Sequence, residues 1–197
     1  MKKYIFILIT FSSTVYSQII NIIDDNGITV QGAYYKDVNN LLNQFEGTYV
    51  FQNNNTNLKI VLEKRENQNN GLYSEDLIVG GYQYSYNNQI LINTLLNLSS
   101  NSPYNYDYKI YGNNILNNNH FPICQECVIN EKRLRLSFSD PIRKIYGNLI
   151  IRKVNINGQN AIKIKLYGAN NKYYVANTNP PADDFIIPSG EYILIQQ

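Results

Sequence analysis

Few side chains in this 197-residue sequence have the type and spacing to do chemistry. Cys124-Gln125-Glu126-Cys127 contains both cysteines. In an oxidising compartment that spacing reads as a small-loop disulfide. A thioredoxin-type redox site needs the motif at a helix N-terminus, where the dipole lowers the first thiol's pKa, but here Pro122 precedes it and an alternating strand follows. Free or metal-bound thiols are the remaining reading.

The single histidine, His120, sits among Asn117, Asn118 and Asn119 and reads as a solvated loop residue. Zinc takes three or four ligands, and only Cys124 and Cys127 lie near it in the chain. Asp183-Asp184 falls in a Pro-rich loop and reads as solvated. Asp140-Pro141-Ile142-Arg143 reads as a turn in which Arg143 folds back on Asp140 as a structural ion pair. There is no Gly-x-Ser-x-Gly elbow and no phosphate-binding Gly-rich loop. The expectation is therefore no catalytic residue, no metal, no cofactor and no enzymatic activity, with a Cys124–Cys127 disulfide as the one covalent feature.

The elements that must carry these residues are mostly strands. Tyr49 and Phe51 alternate with Thr48, Val50 and Gln52; after an Asn-rich turn, Leu58, Ile60 and Leu62 alternate with Lys59, Glu63 and Arg65, which makes a hairpin. Residues 76–86 form a strand whose Gly80-Gly81 marks a bulge or sharp bend. Residues 90–98 fit either a strand or a short helix, and 106–111 alternate as a strand. Leu134, Leu136 and Phe138 alternate with Arg133, Arg135, Ser137 and Ser139. Residues 147–155 and 162–166 flank Asn157-Gly158, the signature of a tight hairpin turn. A last short strand falls within 186–195. Before all of these, Val38, Leu41, Leu42 and Phe45 have helical spacing, which predicts a short helix capped by Asp37. Short connections make the sheet antiparallel, and one sheet of this many strands curls or closes. The fold expected is a mainly β, antiparallel, eight-to-ten-stranded barrel with a short N-terminal helix.

Met1-Lys2-Lys3, the apolar run Tyr4–Phe11 and the small-residue end at Ser17 read as a secretory signal peptide over 1–17. Its removal takes Lys2 and Lys3 away and leaves 15 basic residues against 15 acidic ones. A neutral chain of this kind lacks the concentrated basic surface that nucleic acid requires. No later stretch is long and apolar enough for a transmembrane helix. Residues 18–197 are of the size of one domain. The chain is rich in Asn, has 18 Tyr and lacks Trp. Its Asn clusters read as loops, because Asn tolerates the left-handed region. The Tyr rows at 82, 84, 86 and 104, 106, 108 read as core or as a surface that stacks on sugars.

A helix followed by Gly-x-aromatic on the first strand resembles the opening of lipocalin-like barrels, with Tyr49 where those families carry Trp. Leu136-Ser137-Phe138-Ser139-Asp140-Pro141-x-Arg143, then Gly147, the Asn157-Gly158 hairpin and Phe185-Ile186-Ile187-Pro188, resemble small exported flavobacterial proteins of a domain-of-unknown-function family. That resemblance implies a lipocalin-like barrel and export, and no activity. The leading expectation is a non-enzymatic protein holding a small apolar or amphipathic ligand inside the barrel. The alternative is an envelope or extracellular module that binds protein or glycan through Asn/Tyr-rich loops. Both place the chain in the periplasm or outside the cell, with oligomeric state undetermined. Export predicts a mature N-terminus at Gln18; N-terminal sequencing of protein from the producing cell checks this, and an intact Met1 on the bulk of it would refute it.

Overall fold

The computed structural model describes residues 18–99, 107–168 and 184–197. Its strands are β1 Ile19–Asn21, β2 Tyr34–Lys36, β3 Gly47–Asn53, β4 Thr56–Asn69, β5 Ser74–Tyr86, β6 Gln89–Asn93, β7 Ile110–Leu116, β8 Arg133–Asp140, β9 Ile145–Ile156, β10 Gln159–Gly168 and β11 Gly190–Gln196. Three short 3-10 helices, Ile22–Asp24, Asn43–Phe45 and Leu95–Ser99, complete the regular structure, and the described residues contain no α-helix.

Eight strands close into an antiparallel barrel. Apart from β6, which pairs only with β5, each barrel strand from β3 onward pairs with the next, and β11 returns to β3. The β9–β10 hairpin turns at Asn157 and Gly158, whose φ values of 51° and 85° both lie in the left-handed region that such a two-residue turn demands. Outside the barrel, β1 and β2 add parallel strands to the edge of β5. That one edge of β5 serves three partners in succession: β2 at Ser74 and Glu75, β7 at Ile78 to Gly80, and β6 from Gln83 to Tyr86.

Alternation along each strand sends one row of side chains inward. Tyr49, Leu58, Ile60, Tyr82, Leu136, Phe138, Ile151, Ile162 and Leu194 belong to a single buried cluster. Tyr82 stacks on Phe138 at 4.8 Å between ring centroids, and Phe185 meets Phe138 edge-on at 5.1 Å. The phenol of Tyr49 donates to the carbonyls of Phe45 and Glu46, and burial pushes its pKa up to about 12. These inward side chains are at most 2% exposed. A void able to hold a lipid would leave accessible area on the side chains lining it, so the barrel is filled by its own residues. A second cluster, Leu77, Val79, Leu98 and Tyr108, covers the outer face of β5.

The expected helix over 37–45 is not formed. The Asp37 carboxylate accepts hydrogen bonds from the amides of Leu41 and Leu42, donors that an α-helix would give to its own carbonyls, and Asn40 lies at φ 53°. Only Asn43–Phe45 winds, as 3-10 helix. The apolar spacing still has a purpose: Leu42 and Phe45 are fully buried beside the start of β3, whereas Val38 is 53% exposed. Asp37 is itself tied down, since its amide donates to Asp76, which also accepts from the Tyr34 hydroxyl at 2.6 Å and the Asn67 amide.

Other expectations are refined. Gly80 and Gly81 pair in unbroken register with Leu62 and Val61, and the irregularity in that ladder falls between Arg65 and Gln68. Gly81 instead makes room for the crossing chain, because a Cβ there would stand 2.8 Å from the Thr94 carbonyl oxygen. Residues 90–98 divide into strand and 3-10 helix. The strand expected over 106–111 begins at Ile110 and runs on to Leu116, with Tyr106 outside the described residues.

Gly147 faces inward against Phe185, and a Cβ would collide with the Tyr167 carbonyl oxygen and stand 2.6 Å from the Phe185 ring. Gly147→Ala is expected to cost about 1–3 kcal/mol through overpacking. Gly168→Ala, where the added carbon meets Phe185 at an ordinary 3.8 Å, should change stability little. Urea unfolding of both variants checks the contrast, and equal midpoints would contradict the packing.

Candidate functional site

The outer face of β8, β9 and β10 carries a row of cations. Arg133, Arg152 and Lys163 occupy outward positions, and Arg152 and Lys163 are direct cross-strand partners. Like charges placed opposite each other are destabilising unless something bridges them. The bridge is the segment 117–132, between β7 and β8, which folds back over this face.

Each cation takes a different part of the loop. Arg133 is buried and donates to the carbonyls of Pro122, Asn117 and His120 at 2.6, 2.7 and 3.0 Å. The neighbouring Arg135 donates to the Phe121 carbonyl. Lys163 donates to Glu126 at 2.6 Å and lies 3.0 Å from Glu191 of β11. Arg152 stands 3.6 Å from Glu126 and 3.8 Å from Glu131. The hydrogen bond from Lys163 holds Glu126 below the usual glutamate range and does the same for Glu191, while Glu126 first and Glu191 second raise Lys163. With the carboxylates depressed and the lysine raised, these contacts persist through neutral pH and are lost as pH falls through the lowered carboxylate range.

Between loop and sheet lies a groove of about 430 Å³. Its apolar lining includes Pro122, Ile123, Ile150 and Ile164, and its rim carries Arg152, Lys163, Lys165, Glu126 and Glu191. Cys124 and Cys127, joined by a disulfide, sit over Arg152, whose Nη1 lies 3.5 and 3.3 Å from the two sulfurs.

His120 is exposed in the same loop, with Nδ1 accepting from the Asn117 amide, and no metal-holding cluster of His, Cys, Asp and Glu occurs among the described residues. The side chains of Asp140 and Arg143 do not form the expected ion pair. Asp140 accepts from the amides of Ile142, Arg143 and Ile186, and Arg143 donates to the carbonyls of Asp184 and Phe185. Both therefore anchor the segment that delivers Phe185 to the barrel. Asp184 is half-buried and accepts from Phe185 and Ser189, a structural use in place of the solvated one expected; Asp183 lies outside the described residues. Of the Tyr rows, Tyr82, Tyr84 and Tyr108 are buried, Tyr86 is exposed, and Tyr104 and Tyr106 lie outside the described residues.

Sequence reasoning missed the groove, although a signal for it exists. Register places Arg152 beside Lys163, and the acids nearest in sequence to Arg133 that can neutralise such a row are Glu126 and Glu131.

Fold and face together define a closed, up-and-down, eight-stranded barrel with a filled interior and a loop-covered groove on its outer wall. The chain belongs to the Family of unknown function (DUF6705), whose model matches residues 1–197. No curated protein and no solved structure matches it. No described helix is long and apolar enough to cross a membrane.

Arg133 holds the loop through three charge-assisted hydrogen bonds. Arg133→Ala should cost about 1.5–3 kcal/mol and should raise amide hydrogen exchange across 117–132 while leaving β3 to β5 unchanged. Unaltered protection of the loop would show that Arg133 is not its anchor.

Proposed function

We propose that this chain is an exported, non-enzymatic, lipocalin-like binding protein that takes a small amphipathic ligand in the groove beneath the disulfide loop. The up-and-down order of the eight strands supports the lipocalin-like reading. Export rests on the charged head and apolar run of Met1–Ser17 and leads to the periplasm or the exterior.

The observation that carries the reading is the groove itself. Its volume of about 430 Å³ is that of a small-molecule site. An apolar floor beside a charged rim suits a ligand with an apolar body and an ionised head. The filled interior argues against a ligand held within the barrel, so the site lies on the outer wall.

A second reading, an interaction module for another macromolecule, is favoured by Phe121, Ile123, Val128 and Ile129, which are 70% to 88% exposed on this one loop. Large apolar side chains gathered on one exposed segment mark contact surfaces. The burial of Tyr108 tells against a tyrosine-based version of that module.

Ile123 is exposed and lines the groove, so Ile123→Asp should fold normally and weaken uptake of an anionic lipophilic fluorophore about tenfold or more, one tenfold step being about 1.4 kcal/mol. Fluorescence titration of wild type and variant checks it. Absence of uptake by the wild type, or equal uptake by both, would count against the groove.

A further inference from the structure

Neither binding reading gives the disulfide a chemical role, although Cys124 lines the groove, and its surroundings are unusual for a structural cross-link. The bridge spans a sequence separation of 3, so it constrains very little of the unfolded chain. The loop that carries it is already held by Arg133 through the carbonyls of Asn117, His120 and Pro122. Cys124 and Cys127 are both only half-buried residues.

Arg152 supplies the second observation. Its side chain is 16% exposed, and its Nη1 is directed at the two sulfurs at 3.5 and 3.3 Å. Disulfide sulfur is a weak acceptor. The rest of the guanidinium is poorly served: Nε is buried without a hydrogen-bond partner, and Glu126 and Glu131 stand 3.6 and 3.8 Å away. A thiolate in place of either sulfur would accept a charge-assisted hydrogen bond from the same Nη1, a much stronger interaction. A cation so placed lowers the thiol pKa and favours the reduced form.

We propose that Cys124–Cys127 is a thiol–disulfide exchange site whose reduced form is stabilised by Arg152. An incoming thiolate attacks one sulfur, the Cys124–Cys127 bond breaks, and a mixed disulfide forms while the other sulfur departs as a thiolate against Arg152. A second thiolate then attacks the partner's sulfur in the mixed disulfide, releasing the oxidised partner and leaving two reduced cysteines. Two thiols supply the two electrons. Their protons pass to the solvent and to whichever cysteine does not remain a thiolate. The partner is a thiol, either a low-molecular-weight one or a cysteine on a protein. Arg152 acts here as a positioning residue. The charged groups facing it are Glu126 and Glu131 from the loop, Lys163 from β10 and Arg133 from β8.

The test measures reduction of the folded full chain by dithiothreitol, followed by trapping of free thiols and mass spectrometry, for wild type, Arg152→Gln and Glu131→Gln. The wild type should be reduced about tenfold faster than Arg152→Gln, and its reduced cysteines should alkylate with a midpoint below the value of about 8.5 for a free thiol. Glu131→Gln, which removes a carboxylate competing for Arg152, should accelerate reduction further. Circular dichroism checks that each variant is folded; should Arg152→Gln fail to fold, the Glu131→Gln comparison decides alone. Reduced glutathione and reduced thioredoxin, used separately, distinguish a small thiol from a protein thiol. A bridge inert to all three reductants, or rates indifferent to the substitutions, would overturn the proposal.

Discussion

The barrel is held shut by the contact of Tyr82 with Phe138 in its interior. Two of its seams are short. β5 pairs with β7 at Ile78–Gly112, Val79–Tyr111 and Gly80–Ile110, and β3 pairs with β11 at Val50–Ile195 and Tyr49–Gln196, with the Gln197 amide donating to the Thr48 carbonyl just beyond and Phe51 meeting Tyr192 edge-on. Backbone pairing this brief cannot alone keep β3 to β5 against β7 to β11. The Tyr82 ring on β5 stacks on Phe138 of β8 past the start of β7, and its hydroxyl donates to the Ser139 carbonyl at 3.0 Å. Burial raises that phenol far above the ordinary tyrosine value, with Asp140 adding to the effect, so it is a neutral donor at neutral pH. Phe185 completes the contact from a segment outside the strands, which explains why Asp140 and Arg143 are committed to holding that segment in place.

The outer wall follows a different logic. Inside, shape and apolar area decide the packing. Outside, β8 to β10 bring cations together, and the loop 117–132 is their counterion. Carbonyl oxygens serve Arg133, carboxylates serve Lys163, and Arg152 is left facing sulfur. The groove results from a loop held by long polar side chains, which keep it at some distance from the sheet instead of packing flush against it. Charge repulsion across a sheet thus creates a concave surface in a barrel whose interior offers none.

Much of this barrel could be read from the sequence because its signals are local. Residues 58–62 and 162–166 have clear two-residue alternation, and Asn157-Gly158 supplies a turn with only one comfortable geometry. The helical spacing over 37–45 does not give a helix, because the same apolar spacing serves a loop when the Asp37 carboxylate captures the amides of Leu41 and Leu42. The parallel strands β1 and β2 are three residues each and carry no periodicity of their own. Within the site, Cys124 and Cys127 were visible as a pair, but their relation to Arg152 depends on the register of β9 and on the path of a loop, and neither is encoded within a short window. The turn from Asp140 to Arg143 forms, with the Arg143 amide on Asp140, but the further partners of the two side chains, Ile186, Asp184 and Phe185, lie more than forty residues away.

Asparagine governs the turns. Of the described non-glycine residues at positive φ, all but Lys144 are Asn: 40, 54, 67, 87, 88, 130 and 157. Elsewhere the Asn side chain folds onto the chain, as where the oxygens of Asn26, Asn69, Asn70, Asn93 and Asn155 accept from amides two or three residues on. A carboxamide neither titrates nor attracts counterions. The turns held by asparagine therefore keep their shape through hydrogen bonds that salt does not screen and that titration does not reach, unlike the segments held by the carboxylates of Asp37, Asp140 and Asp184. On this molecule, ionic strength acts on the charged wall of β8 to β10 and on the ion pairs of Lys64 and Arg65, and leaves the asparagine turns untouched.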